Sequence, residues 1–160
     1  SRSDSGRLQV KEEAVPLPPL IDSIVRVQGP VYGRTIEVQG PNDQASLVAL
    51  ADASRLHQVL VNLVENAHKY SPPDQPIQLT LGRVAEGVQV EVIDHGIGIS
   101  STDQPHIFER FHRGSNTGGH SGSGLGLSVV KLLVEAMGGS ITVASEPGMG
   151  SRFRILLQSA

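Results

Sequence analysis

Residues 55–72 read RLHQVLVNLVENAHKYSP, and the reading of this stretch decides the fold. Leu56, Val59, Leu60, Leu63, Val64 and Ala67 recur at i, i+3, i+4, i+7 spacing, which predicts a helix with one apolar face. Asp52 or Ser54 is placed to cap its start, and Pro72-Pro73 stops it. At about 100° per residue, Asn62, Asn66 and Lys69 fall within about 40° of one line, with the apolar face centred roughly 130° away. Two amides and an ammonium therefore share a stripe that the core does not claim. Amide oxygens are hard, neutral ligands suited to Mg2+, and a lysine neutralises phosphate oxygens, so the trio suits a metal-bound triphosphate. A solvated helix face is the plain alternative.

Working outward, Ile77, Leu79 and Leu81 alternate, as do Val88, Val90 and Val92, with Gly82 to Gly87 between them as the connection of an antiparallel pair. Upstream, PLPPLIDSIVRV (16–27) predicts a short amphipathic helix behind helix-starting prolines. TIEVQG (35–40) and SLVAL (46–50) read as short strands. Residues 1–14 are polar, lack a hydrophobic face and read as a linker. Downstream, Leu125 to Met137 predicts a mostly buried helix stopped by Gly138-Gly139. Ile141 with Val143, then Phe153, Ile155 and Leu157, supply two closing strands around EPGMG (146–150). Strands in adjacent pairs, each beside a helix, predict an α+β fold, a two-layer α/β sandwich with a mixed, mostly antiparallel sheet and three helices on one face.

Between Asp94 and Gly124 the periodicity disappears for about thirty residues, against a usual loop of ~4 to 6, and loops that long are generally functional or disordered. Its two ends carry chemistry. VIDHGIGIS (92–100) ends a strand on Asp94 and follows it with Gly96 and Gly98. A carboxylate there accepts from an exocyclic amine, and the glycines let a planar ring lie against backbone. SGSGLGLSVVK (121–131) sets Gly122, Gly124 and Gly126 at a helix start, where unpaired N–H groups form a phosphate seat. The dinucleotide fingerprint needs a strand immediately before and a later third glycine, so a Rossmann reading fails.

Composition closes other classes. The 160 residues contain no cysteine, which removes disulfides, thiolate metal sites and a cysteine nucleophile. A net charge of −3 lacks the footprint of a nucleic-acid binder. No apolar stretch approaches the ~18 to 20 residues that cross a bilayer. None of the six histidines stands in H-E-x-x-H, and no nucleophile elbow or P-loop occurs.

Taken in order, these motifs resemble the ATP-binding catalytic domain of bacterial sensor histidine kinases. Residues 55–72 resemble the asparagine box, VIDHGIGIS the first glycine box, IFERFHRG (107–114) the phenylalanine box and SGSGLGLSVVK the second glycine box. GMGSRF (148–153) resembles the terminal strand entry. The resemblance implies ATP and Mg2+ as cofactors. Asn66 would be the principal metal ligand, with Asn62 on the metal or phosphates and Lys69 on a phosphate. Tyr70 would pack beside the adenine. Asp94 would accept from its amino group, favouring ATP over GTP, and Gly96 and Gly98 would make room for the base. Gly122, Gly124, Leu125 and Gly126 would cradle the phosphates. Residues 99–123 would form a lid, pinned by Phe108 and Phe111, from which Arg110 or Arg113 reaches the γ-phosphate. Residues 114–123 would order only with nucleotide.

Related ATPases place a glutamate where Asn62 stands, so slow hydrolysis and transfer to an external histidine are implied. Glu65, about 60° around the helix, is the candidate base for the incoming imidazole, or else a surface glutamate. His95 replaces an asparagine common in the family. No phosphoacceptor segment is evident, and residues 1–14 resemble the tail of a dimerisation helix pair. The implied partners are therefore that dimerisation and phosphoacceptor domain and a response regulator. The implied setting is a cytoplasmic domain, monomeric alone, of a membrane-anchored homodimer. The competing readings are a nucleotide-gated interaction module and an ATPase of the same superfamily.

Overall fold

The structure is a computed structural model that describes residues 9–43, 46–109 and 125–160, the side chain of Leu125 excepted. Its elements are β1 (Glu13–Pro16), α1 (Leu17–Tyr32), β2 (Ile36–Gln39), β3 (Val48–Ala51), α2 (Ala53–Tyr70), β4 (Ile77–Val84), β5 (Gly87–Asp94), α3 (Leu125–Ala136), β6 (Ser140–Glu146) and β7 (Gly150–Leu157). The main sheet runs β2-β4-β5-β7-β6, parallel only between β2 and β4. The α+β sandwich expected from the strand pairing is the observed fold.

Period-two alternation builds the core. Ile77, Leu79 and Leu81 from β4, Val88, Val90 and Val92 from β5, and Phe153, Ile155 and Leu157 from β7 are all buried. Against them lie Leu56, Val59, Leu60, Leu63, Val64 and Ala67, the face expected for α2. Truncating a fully buried leucine such as Leu60 would cost about 2–5 kcal/mol. The outer face of the sheet holds one buried acid. Glu91 accepts from Thr80 Oγ1 at 2.9 Å and from Arg154 Nε at 3.1 Å, and it pairs with Arg154 Nη2 at 3.0 Å.

Four expectations need correction. Helix α1 runs to Tyr32 instead of stopping at Val27. The added turn exposes Val31, as Val27 just before it is exposed, so no core-facing period announces it. Pro30 stands in the last turn of α1, where its ring removes one ladder donor, and the helix closes at Gly33, in the left-handed region at φ 60°, with Gly33 N–H on Pro30 O and Arg34 N–H on Gly29 O. Second, Gly82 lies inside β4 opposite Gln89, and the hairpin narrows to Ala85 and Glu86. Third, β3 leaves the main sheet and pairs antiparallel with β1, whose first two residues fall at the end of the stretch read as linker. Only Val15 of β1 is buried, which gives too short a pattern to see. Fourth, the long loop contains a 3-10 turn at Gln104–His106.

The small β1–β3 sheet fixes the start of α2. Asp52 is the cap, accepting from Arg55 N–H at 3.2 Å, and its other oxygen accepts from Lys11 N–H at 2.8 Å. Glu13 accepts from Ala53 N–H at 3.0 Å. The Lys11 bond, the largest influence on it, holds the Asp52 carboxyl below the ordinary aspartate value of 3.8. A depressed carboxyl stabilises the fold above its unfolded value, and that contribution is lost as pH falls through the folded one. Asp52→Ala is expected to cost about 1–2 kcal/mol by urea unfolding at pH 7. The gap to the parent should narrow below pH 4, and a gap independent of pH would show that the carboxylate charge is irrelevant.

Candidate functional site

Helix α2 ends where the loop after β5 begins. Ile97 N–H donates to the Tyr70 carbonyl at 3.1 Å. Gly96 lies so close that a Cβ there would sit 1.8 Å from the same oxygen. On the other side, Gly98, at φ 74°, abuts the Glu146 carbonyl, and Gly150, at φ 88°, abuts that of Asp94. Gly148 N–H donates to Ile97 O at 2.6 Å. The loop 95–98 is thus clamped between the last turn of α2 and the β6–β7 turn.

Asp94 closes β5 at the mouth of this clamp with 6% of its surface exposed. One oxygen accepts from Gly96 N–H at 2.9 Å. Burial pushes the carboxyl up from its ordinary value. The Gly96 and Ser151 N–H groups and the charges of His95 and Arg34 pull the other way. The outcome is a desolvated acceptor of fixed orientation beside glycine backbone, which is what recognition of a planar amino-bearing ring requires.

The α2 residues expected to face nucleotide lie on the flank that the core leaves free. Asn62 and Asn66 are half-buried one turn apart, Lys69 and Glu65 are exposed, and Tyr70 is half-buried in the last turn, whose carbonyl meets the loop. Among the described residues, the Asn62 and Asn66 amides and the Lys69 ammonium have no hydrogen-bond or ion-pair partner. No group of three or more His, Cys, Asp or Glu there could hold an ion alone. Two uncommitted amide oxygens therefore fit an Mg2+ ion that takes most of its ligands from phosphates and water.

Gly126 is the second residue of α3, and a Cβ there would meet nothing within 4 Å. Leu125 opens the same helix. Gly122, Gly124, Arg110, Arg113 and Phe111, together with the stretch 114–123, lie outside the described residues. The start of the expected lid is tied to the body. Gln104 Nε2 donates to Ile99 O and Ser145 O, both at 2.8 Å, and Ser145 Oγ accepts from Ile99 N–H. Phe108 meets Phe153 edge to face at 6.2 Å, under the Lys131 ammonium.

Sequence reasoning missed a polar cluster beneath the clamp. Arg34, 7% exposed, donates from Nη2 to Ser71 O at 3.0 Å. Beside it His68 stacks on Tyr32 at 3.9 Å, and burial first, then Arg34, lowers the His68 pKa. Arginine after a turn glycine carries no periodic signal, so composition could not have found it.

Residues 51–160 match the family described as histidine kinase-, DNA gyrase B-, and HSP90-like ATPase. The chain is 42% identical over 108 residues to the sensor protein KdpD of Mycobacterium tuberculosis, covering 68% of this chain and 12% of that one. The solved mycobacterial sensor histidine kinase MprB superposes with a TM-score of 0.78 at 28% identity, covering 94% of this chain and 100% of that one. Full-length ShkA in complex with AMPPNP gives a TM-score of 0.77 at 28% identity over 96% of this chain and 33% of that one. The chain thus spans a small part of the curated relative it matches. Among the described residues no helix is long and apolar enough to cross a membrane.

Proposed function

Because the chain belongs to the histidine kinase-, DNA gyrase B- and HSP90-like ATPase family, we propose that it is the Mg·ATP-binding catalytic module of a two-component sensor histidine kinase. It transfers the γ-phosphoryl group to a histidine of a separate dimerisation and phosphoacceptor domain. The observation that carries this reading is the buried Asp94 carboxylate beside a glycine loop, bonded to the end of a helix that bears two uncommitted amides. The name of KdpD as a sensor protein, that of MprB as a sensor histidine kinase and the AMPPNP complex of ShkA support it.

In this reading Asp94 accepts from the adenine amino group while Gly96 and Gly98 give the ring room. Asn66, with Asn62, holds Mg2+, which neutralises charge on the phosphates. Lys69 contacts a phosphate, and Gly122, Gly124, Leu125 and Gly126 cradle the chain of phosphates. Arg110 or Arg113 reaches the γ-phosphate from the lid. The incoming imidazole nitrogen bonds to the γ-phosphorus as the bond to the β-bridging oxygen breaks, ADP leaves, and Glu65 takes the imidazole proton. Phosphoryl transfer asks mainly for such positioning and charge stabilisation. An asparagine at position 62 is a poor base for water, which favours transfer over hydrolysis. The parent protein is a membrane-anchored homodimer that passes the phosphoryl group to a response regulator.

Incubating the domain with a separately produced phosphoacceptor domain and γ-labelled ATP tests the reading. Acid-labile label on histidine is expected. Binding without label would instead make this a nucleotide-gated interaction module, and rapid free phosphate an ATPase. Asn66→Ala should abolish Mg·ATP binding by calorimetry while leaving the thermal melt unchanged, since the amide has no partner in the described fold. Parent-like binding by that variant would remove Asn66 from the site.

A further inference from the structure

The guanidinium of Arg34 is buried without the ion pair that such a charge ordinarily requires. Among the described residues no carboxylate lies within salt-bridge distance of it, and its Nε and Nη1 have no hydrogen-bond partner. Its one bond runs from Nη2 to the Ser71 carbonyl just beyond α2, where unsatisfied carbonyls and the negative end of the helix dipole favour a cation. A buried cation held so thinly is a poor stabilising device, because an apolar side chain of similar volume commonly does as well or better. Its position suggests another use.

The Ser71 carbonyl adjoins that of Tyr70, which receives Ile97 N–H and lies against Gly96. Gly96 N–H in turn orients Asp94. We propose that Arg34 is a positioning residue for nucleotide recognition: it anchors the end of α2 under the 95–98 loop and so holds in place the Gly96 N–H that orients the Asp94 acceptor. This rests on the reading of Asp94 as the adenine contact. The charged groups acting on Asp94 are His95, in the same loop, and Arg34, from the turn after α1. From β7 it receives the Ser151 N–H, and the end of α2 presents carbonyls to its loop. His95, the larger of the two influences, is exposed and open to screening by salt, whereas Arg34, the smaller, acts from a buried position.

The test uses the intact domain, its Arg34→Gln and Arg34→Met variants, and Arg34→Lys, each checked for folding by thermal melt. Carbon-13 NMR of the Asp94 carboxyl follows its titration in the nucleotide-free protein, and calorimetry follows AMPPNP binding between pH 5 and 8.5. In either uncharged variant Asp94 should titrate at higher pH than in the parent. AMPPNP affinity at pH 7.5 should fall about tenfold, the weight of one charge-assisted hydrogen bond. Loss of affinity on acidification should begin at higher pH. Arg34→Lys should restore the parent titration and bring affinity within about threefold of it, because an ammonium keeps the charge and one donor. Methionine fills the space without charge, so at least one uncharged variant should fold. An Asp94 titration unmoved in the uncharged variants would overturn the inference even if affinity fell, since a merely structural arginine predicts that result. A parent domain that fails to bind AMPPNP at any pH would overturn the functional reading itself, which is visible before any variant is made.

Discussion

Asp94→Asn is expected to lower ATP affinity by about 10- to 150-fold, the loss of one charged hydrogen bond worth ~1.5–3 kcal/mol, while making the empty domain more stable. The two effects have one cause. The carboxylate already accepts from the Gly96 N–H at 2.9 Å and from the Ser151 N–H, and its remaining lone pairs are open to the ligand. Asparagine has one oxygen for the Gly96 and Ser151 N–H groups and turns its NH2 toward the adenine amine, placing donor against donor. Stability moves the other way because burial raises the Asp94 pKa in the fold. The native state then holds the proton more tightly than the unfolded chain, and stability falls as pH rises from the ordinary value of 3.8 through the folded value. Above the folded value that cost is fully present, and a neutral amide removes it. Thermal melts at pH 7 without nucleotide should show the variant melting above the parent, and calorimetry should show its binding deficit. A variant that melts lower and binds normally would mean that Asp94 serves the fold and not the ligand.

Gly96→Ala is expected to be the most damaging single methyl group near the site. Its Cβ would lie 1.8 Å from the Tyr70 carbonyl oxygen and 3.0 Å from Ser71 Cα, and both are backbone atoms that cannot rotate away. Either the end of α2 moves off the sheet or the loop lifts, and the Ile97 to Tyr70 bond breaks in both cases. Overpacking of this kind costs about 1–3 kcal/mol, with backbone clashes at the upper end. Gly126→Ala is the natural comparison. It adds the same atom to open space within a helix, so it should leave stability unchanged or raise it by up to about 0.5–1 kcal/mol. Urea unfolding of the pair measures the contrast, and equal stability would mean that the 95–98 loop is looser than its contacts imply.

The layer order of this fold was legible because burial imposes periods. Every core position expected on α2 is buried, and the alternating strands β4, β5 and β7 lie where their patterns put them. What escaped were elements without a face. The last turn of α1 exposes its valines, and β1 buries one side chain. The site divides in the same way. Asp94 and its glycines could be read because strand ends and turns have strong residue preferences, and the α2 stripe because a helix repeats. Arg34, Ser145 and Gln104 were invisible: each acts through backbone carbonyls or N–H groups supplied by segments distant in sequence, and such pairings leave no spacing to detect.

The tip between β6 and β7 shares no helix with the α2 amides, yet its backbone walls one side of the 95–98 loop. Met149 projects there almost free, while Gly148, at φ 80°, donates its N–H to Ile97 O and Gly150, at φ 88°, lies against the Asp94 carbonyl. A saturation-mutagenesis screen scored on signalling output would therefore record tolerance and lethality in alternation across three consecutive codons, a fingerprint of hidden masonry in what looks like an ornamental hairpin.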